Sequence, residues 1–225
     1  MNLTVVAATG GVGRHLLGQA LSAGHQVTAV VRDPAKLGER AGPKVRVVTA
    51  DLSAPDPEAL RSAVDGADAV LSGFGPHGQA DAGHTASGTQ AVVEAMRATG
   101  VRRIVAVSAA PVSTLPSPGR PHPPRHDPGD TLAMRYVAAP LGRLFLGKVF
   151  ADLAAMEDVL RAGGLDWTVV RPPRLTGKPL TATYRTAVDR NLRGGTSVPR
   201  ADVAHLMLHC VQDQATVGHA LGIAT

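Results

Sequence analysis

Residues 5–17 read VVAATGGVGRHLL, and the rest of the chain is organised by what this stretch must do. It opens on apolar, β-branched residues that suit a buried strand. It then empties into Thr9-Gly10-Gly11-Val12-Gly13, and a helical pattern begins before the glycines end. Gly10 offers backbone angles closed to other residues, while Gly11 and Gly13 remove side chains where a phosphate or a neighbouring strand must approach. The unpaired amides and partial positive charge of a helix start would hold a diphosphate there.

A strand–glycine turn–helix unit carries weight only inside a βαβ context, and the chain supplies one. Strands are expected at 3–8, 26–31, 45–49, 67–72 and 103–108, with helices at 12–23, from Pro34, at 56–64 and at 85–98. This alternation predicts an α/β fold, a Rossmann-type doubly wound parallel sheet with crossover helices. The strands show little polar alternation, as expected when both faces are buried. The rhythm breaks at 110–129, APVSTLPSPGRPHPPRHDPG, where seven prolines exclude helix and central strand. That segment reads as a disordered insertion or as a mobile lid beside a site. A long helix to residue 162, strands at 164–172, 181–187 and 221–224, and a helix at 201–211 follow. One NAD(P)-binding Rossmann domain is expected over 1–225, with a core at 1–110, a proline-rich loop at 110–129 and a substrate-covering region at 165–225.

The end of the second strand tests which nucleotide is read. There an acidic residue takes a ribose 2′-hydroxyl and an arginine accommodates a 2′-phosphate. The chain has Arg32, then Asp33, with Lys36 one turn on. Arg32 can fork onto phosphate oxygens and Lys36 can add a point charge, whereas Asp33 caps the helix that begins at Pro34. NADP(H) is therefore expected over NAD(H).

Composition excludes several classes. The 225 residues carry a net charge of +5, but the arginines are scattered and aromatics make up only 3%, so no nucleic-acid surface is expected. No run of ~18 apolar residues is present, so no membrane span is expected, and Met1-Asn2 leads straight into a strand without a signal-peptide pattern. The single cysteine, Cys210, reads as a small buried hydrophobe and fits a reducing, cytoplasmic setting. A small-molecule substrate and a monomer or homodimer are expected.

The segments AATGGVG, VRDPAKL, ADL at 50–52, VAVSA from 105 and GLDWTVVRPPRLTGKPLTATYR, followed by PRADVAHLML, resemble the atypical short-chain dehydrogenases. Within them they are similar to the NAD(P)H-binding, NmrA-like set that includes flavin reductase/biliverdin-IXβ reductase. The resemblance implies that Thr9, Gly10, Val12 and Gly13 wrap a pyrophosphate and that Arg32 meets the 2′-phosphate. It implies Asp51 and Leu52 beside adenine, and Gly73, Phe74 and Gly75 along the ribose and nicotinamide approach. Ser108 would lie beside the nicotinamide, with Pro172 and Pro173 behind its carboxamide. Two departures stand out: Ala7 occupies a place where the family usually has glycine, and Arg174 and Leu153 replace two histidines of the flavin/biliverdin reductases. Arg174 suits an anionic or carbonyl-bearing ligand.

Classical short-chain dehydrogenases move a proton with a Tyr-x-x-x-Lys pair. Neither Tyr136 nor Tyr184 has lysine four residues later. Hydride transfer to an electron-poor acceptor survives that loss, and Ser108 is the candidate catalytic hydroxyl. His122 and His126 could enter a pocket from the proline-rich segment. His205 and His209 share a helix face but lack a third ligand, so no metal site is expected. His77 and His84 are read as facing solvent, Trp167 as packing on the sheet, and Glu157 and Asp158 as surface charges paired with Arg161. Three functions stay open: an NADPH-dependent reductase of a flavin, quinone or similar conjugated molecule; a non-catalytic NADP(H)-binding redox sensor; and a non-redox isomerase or cyclase.

Overall fold

The computed structural model of the chain describes residues 1–40, 42–76, 78–132 and 134–225. Strand β1 (Asn2–Val6) lies at its centre, paired in parallel with β2 (Gln26–Val31) on one side and β4 (Ala69–Ser72) on the other. Beyond β2 lies β3 (Val45–Thr49). Beyond β4 lie β5 (Arg103–Val107) and β6 (Asp166–Arg171). The far edge is formed by β10 (His219–Ala224), parallel to β6, and β8 (Arg185–Val188), antiparallel to β10. The order β3-β2-β1-β4-β5-β6-β10-β8 reverses direction between β1 and β4, where doubly wound sheets open a crevice at their carboxyl ends. A small parallel pair, β7 (Arg174–Thr176) with β9 (Ser197–Pro199), sits apart.

Successive residues of each strand point to opposite faces, and both faces are covered. Val5 packs with Leu16 and Leu17 of α1 (Gly13–Ser22) and Met207 of α5 (Arg200–Gln212). Its neighbour Val6 packs with Leu60 of α2 (Pro57–Val64), Met96 of α3 (His84–Thr99) and Leu160 of α4 (Ala139–Ala162). Two apolar faces explain why the strands read as continuous hydrophobic runs. Cys210 is buried among the α5 residues, as expected, and burial pushes its thiol to about 11. Among the described residues, no helix is long and apolar enough to cross a membrane.

Several boundaries shift for local reasons. The first strand stops at Val6 because Ala7 turns to φ 57°. The outer strand expected at 181–187 begins only at Arg185, because the buried Asp202 carboxylate takes the Thr181 amide (2.8 Å), the Thr181 hydroxyl (2.7 Å) and the Ala182 amide (3.0 Å) into a turn. The short strands β7 and β9 were not foreseen; three residues give no usable periodicity.

In the structure the proline-rich segment is packed against α4 and bonded to Asn191. Asp158 of α4 accepts from the Ser117 hydroxyl (3.0 Å) and the Gly119 amide (2.8 Å). The buried Asp127 carboxylate accepts from the amides of Gly129 (2.8 Å) and Asn191 (2.9 Å). A Cβ on Gly119 would sit 2.8 Å from the Asp158 carboxyl carbon, so the segment lies tight against α4.

Candidate functional site

At the reversal between β1 and β4 the turn after β1 is folded as follows. Ala7 takes the left-handed conformation, and its carbonyl accepts from the Gly10 amide (2.8 Å). The expectation that Gly10 supplies the unusual backbone angles is therefore corrected: the left-handed residue is Ala7, and Gly10 is needed for space. A Cβ on Gly10 would lie 3.1 Å from the Ala7 oxygen, and one on Gly13 would lie 2.0 Å from it. Gly73, just past β4, closes the same knot, since its Cβ would stand 2.8 Å from the Gly13 nitrogen. Three chain segments thus meet at backbone distance, which no other residue permits.

Helix α1 starts without a side-chain cap and without an acidic residue in its first turn. Within the described residues the amides of Gly11, Val12 and Gly13 donate to nothing. A Cβ on Gly11 would fall 2.9 Å from the Arg200 Nε, so a guanidinium lies beside the turn. Burial, with the charges of Arg14, Arg200 and Arg40, holds His15 below its ordinary pKa. Unspent amides in a cation-rich setting are the donor set for a diphosphate.

In front of the turn lies a cleft of about 560 Å³. Thr9 and Gly10 line its floor, Arg32 and Lys36 one end, and Asp51 and Leu52 a side. Phe74 and Gly75 complete it from the β4 loop. Asp33 also lines it; its carboxylate accepts from the Ala35 amide (3.1 Å) and lies 3.9 Å from Lys36 Nζ, whereas Arg32 forms no salt bridge with any described residue. Hydrogen bonds from the Ser53 amide (2.9 Å) and hydroxyl (2.7 Å) hold the Asp51 carboxyl below its usual range, assisted by Arg32. Gly88 lets α3 approach, since a Cβ there would meet the Leu52 oxygen and the Phe74 ring at 2.8 Å. His84, expected to face solvent, is half-buried and lines the cleft. His77 lies outside the described residues.

A second cavity of about 360 Å³ opens at the carboxyl ends of β5, β6 and β10. Pro173 and Arg174 line it together with Arg171, Asn191, Met134 and Phe150. Pro172 is buried, and its carbonyl accepts from the Ala110 amide (2.9 Å). Asn191 Nδ2 donates to Ser113 Oγ (3.3 Å) and Asp130 Oδ1 (3.2 Å), while its Oδ1 is buried with no partner among the described residues. His122 and His126 are exposed on the proline-rich segment and line neither space. Leu153 is buried in the core of α4.

Ser108 is buried, and its hydroxyl donates to Glu157 Oε1 (2.8 Å). That contact corrects the reading of Glu157 as a surface charge. Glu157 is fully buried and takes Arg171 through Nε (2.8 Å) and Nη2, with Arg161 Nη2 as a further donor. Burial opposes its charge, yet the bonds and charge of Arg171, with Arg161 and Ser108, hold its carboxyl below the usual range. Asp158 is likewise turned inward, to the proline-rich segment. Sequence reasoning missed Glu157, Arg171, Arg200, Gly88 and Asn191. For Glu157 an i, i+4 arginine read as surface pairing, because nothing local showed that a second guanidinium would arrive from β6.

His205 and His209 stand with their Nε2 atoms 3.3 Å apart, and Tyr184 Oη meets His205 Nδ1 at 2.7 Å. Burial raises the Tyr184 phenol to about 12. Among the described residues no group of three His, Cys, Asp or Glu side chains is arranged to hold a metal ion.

A doubly wound parallel sheet with a glycine turn at its reversal defines the class: NAD(P)-binding Rossmann proteins. Within it, residues 7–214 match the NAD(P)H-binding family model, and the chain belongs to that family. A Streptomyces protein named 3-diazoavenalumate denitrifying reductase is 37% identical over 185 residues, spanning 73% of this chain and 56% of that protein. A Bacillus subtilis protein named as an uncharacterized sugar epimerase is 26% identical over 228 residues, 99% of this chain and 94% of its own. Among solved structures, a wide-type short-chain dehydrogenase/reductase from Veillonella parvula in complex with NADP has a TM-score of 0.75 at 19% identity. It covers 100% of this chain and 94% of that one.

Proposed function

We propose that this protein is an NADPH-dependent reductase of a flavin, quinone or similar conjugated small molecule. The observation that carries this reading is the convergence, around one cleft, of the glycine turn, Arg32 and Lys36 with Leu52 and Phe74. The donor set and the space fit a phosphorylated dinucleotide. Free amides of residues 11–13 and Arg200 suit the diphosphate, Arg32 and Lys36 the 2′-phosphate, and Leu52 and Phe74 an adenine. Gly75 lines the cleft past Phe74, and the second cavity, with Pro173 in its wall, opens at the carboxyl end of β5, the neighbour of β4 in the sheet. When bound, a reduced nicotinamide supplies a hydride, and a solvent proton completes the two-electron reduction of the acceptor.

Ser108, just past the end of β5, is buried against Glu157 and lines neither the cleft nor the cavity, so in this reading its part is to position Glu157 rather than to meet the nicotinamide. The protein's part is to bind and orient, since neither tyrosine lines the cleft or the cavity. Arg32→Ala should weaken NADPH binding by about 1–3 kcal/mol, the scale of a charge-assisted contact, and leave NADH nearly unchanged. Titration of both nucleotides checks it, and equal losses would remove the 2′-phosphate assignment.

The engagement of the Ser108 hydroxyl by Glu157 also favours a second reading, a redox sensor that binds NADP(H) without turnover. NADPH oxidation measured against flavins and quinones separates the two. Tight nucleotide binding with no oxidation by any acceptor supports the sensor.

A further inference from the structure

We infer that the cavity at the tips of β5, β6 and β10 binds an organic anion, a planar apolar molecule carrying a carboxylate, through Arg171 and Arg174. This rests on reading that cavity as the acceptor site.

Most of the wall is hydrocarbon, with Pro111, Met134, Leu146, Phe150 and Ile223 around a space of about 360 Å³. That volume suits one small aromatic molecule. Into this wall the chain sets two guanidinium groups. Arg174 is exposed and sits at the rim. Arg171 is only 4% exposed, an expensive place for a cation unless a partner justifies it.

Glu157 is that partner, but it does not exhaust the fork. Arg171 gives Glu157 its Nε and one Nη2 proton, two of five donors. Its Nη1 makes no hydrogen bond with any described residue, and it is not among the buried polar atoms that lack a partner. Glu157 is also shared, since Arg161 and Ser108 bond the same carboxylate. Around it, among the described residues, Arg171, Arg161 and Arg120 face the carboxylates of Glu157 and Asp158, an excess of one positive charge. Burial, and then the charges of Arg171 and Arg161, hold Arg120 below its ordinary value, which fits that excess. Among the described residues the one carboxylate on the cavity wall, Asp130, is held by Asn191. A guanidinium fixed on one edge, with its remaining edge unspent, favours a planar carboxylate over a neutral isostere.

The test compares benzoate with benzamide and 2-naphthoate with 2-naphthamide, by calorimetry on the full chain at neutral pH. Each carboxylate should bind at least about tenfold more tightly than its amide, the scale of a charge-assisted contact. Arg171→Lys keeps a cation for Glu157 while losing the fork, and Arg174→Met leaves the ion-pair cluster intact; melting curves confirm that both are folded. The preference should shrink several-fold in Arg174→Met and nearly vanish in Arg171→Lys. Equal affinity for acid and amide in the native protein, or a preference untouched by both substitutions, overturns the inference. Turnover is judged separately. A protein that oxidises NADPH with a neutral quinone but ignores carboxylates keeps the reductase reading and loses this one, and the converse holds for carboxylate binding without oxidation.

Discussion

Ala7 leaves β1 with φ 57°, a conformation that costs an L residue roughly 1 kcal/mol through crowding of its Cβ. Its carbonyl ties the glycine turn, and the residue lines the cleft. Ala7→Gly should therefore stabilise the protein by about 1 kcal/mol, and raise its melting temperature by roughly 2–4 °C. A thermal melt that falls instead would show that chain entropy outweighs the strain. Sequence reasoning marked residue 7 as a departure but assigned the special backbone to Gly10. A turn's glycines are visible in a sequence, whereas which residue carries the positive φ depends on how strand and helix axes meet.

At the scale of elements, α3 illustrates a helix whose start is completed from elsewhere. Its N-cap, Gly83, has no side chain, and no acidic residue stands in its first turn. The buried Asp152 of α4 supplies the carboxylate, accepting from the amides of Thr85 and Ala86, both at 3.0 Å. Asp152→Ala should cost about 1–2 kcal/mol, as the loss of an N-cap does, and Asp152→Asn less. Because His84 and Thr85 line the cleft, the alanine variant should also bind NADPH more weakly. Urea unfolding and nucleotide titration check both effects. By contrast, Asp56 caps α2 from its own sequence, accepting from Glu58 (2.9 Å) and Ala59 (3.3 Å), and that helix start was legible in advance. Local caps can be read along the chain; a cap donated across 66 or 67 residues cannot.

Across the whole molecule, Glu157 joins β5 through Ser108, β6 through Arg171 and the outer surface of α4 through Arg161. Its carboxyl is held below the ordinary value in the folded state. The stability it contributes is thus fully present above the unfolded value of about 4.3 and is lost as pH falls through the folded value. Glu157→Gln should destabilise the protein at neutral pH by about 3–5 kcal/mol, because the buried Arg171 guanidinium then lacks its anion, while Arg161 keeps Asp158. The gap between variant and native protein should narrow as pH drops below about 4. Urea midpoints measured from neutral to acid pH give the answer, and a gap independent of pH would show that Glu157 is not charged.

The amino-acid order alone determined the doubly wound sheet, the glycine turn at its reversal and the cations after β2. Each of these is written in contiguous residues whose spacing follows strand, turn and helix geometry. Tertiary structure alone decided what Glu157 and Asp158 face, how the proline-rich segment is tied to α4 and Asn191, and that Arg171 and Arg174 border one apolar space. Those facts depend on side chains brought together from distant parts of the chain, and burial turns a charge that looks solvated in a helix into the pivot of an ion-pair cluster.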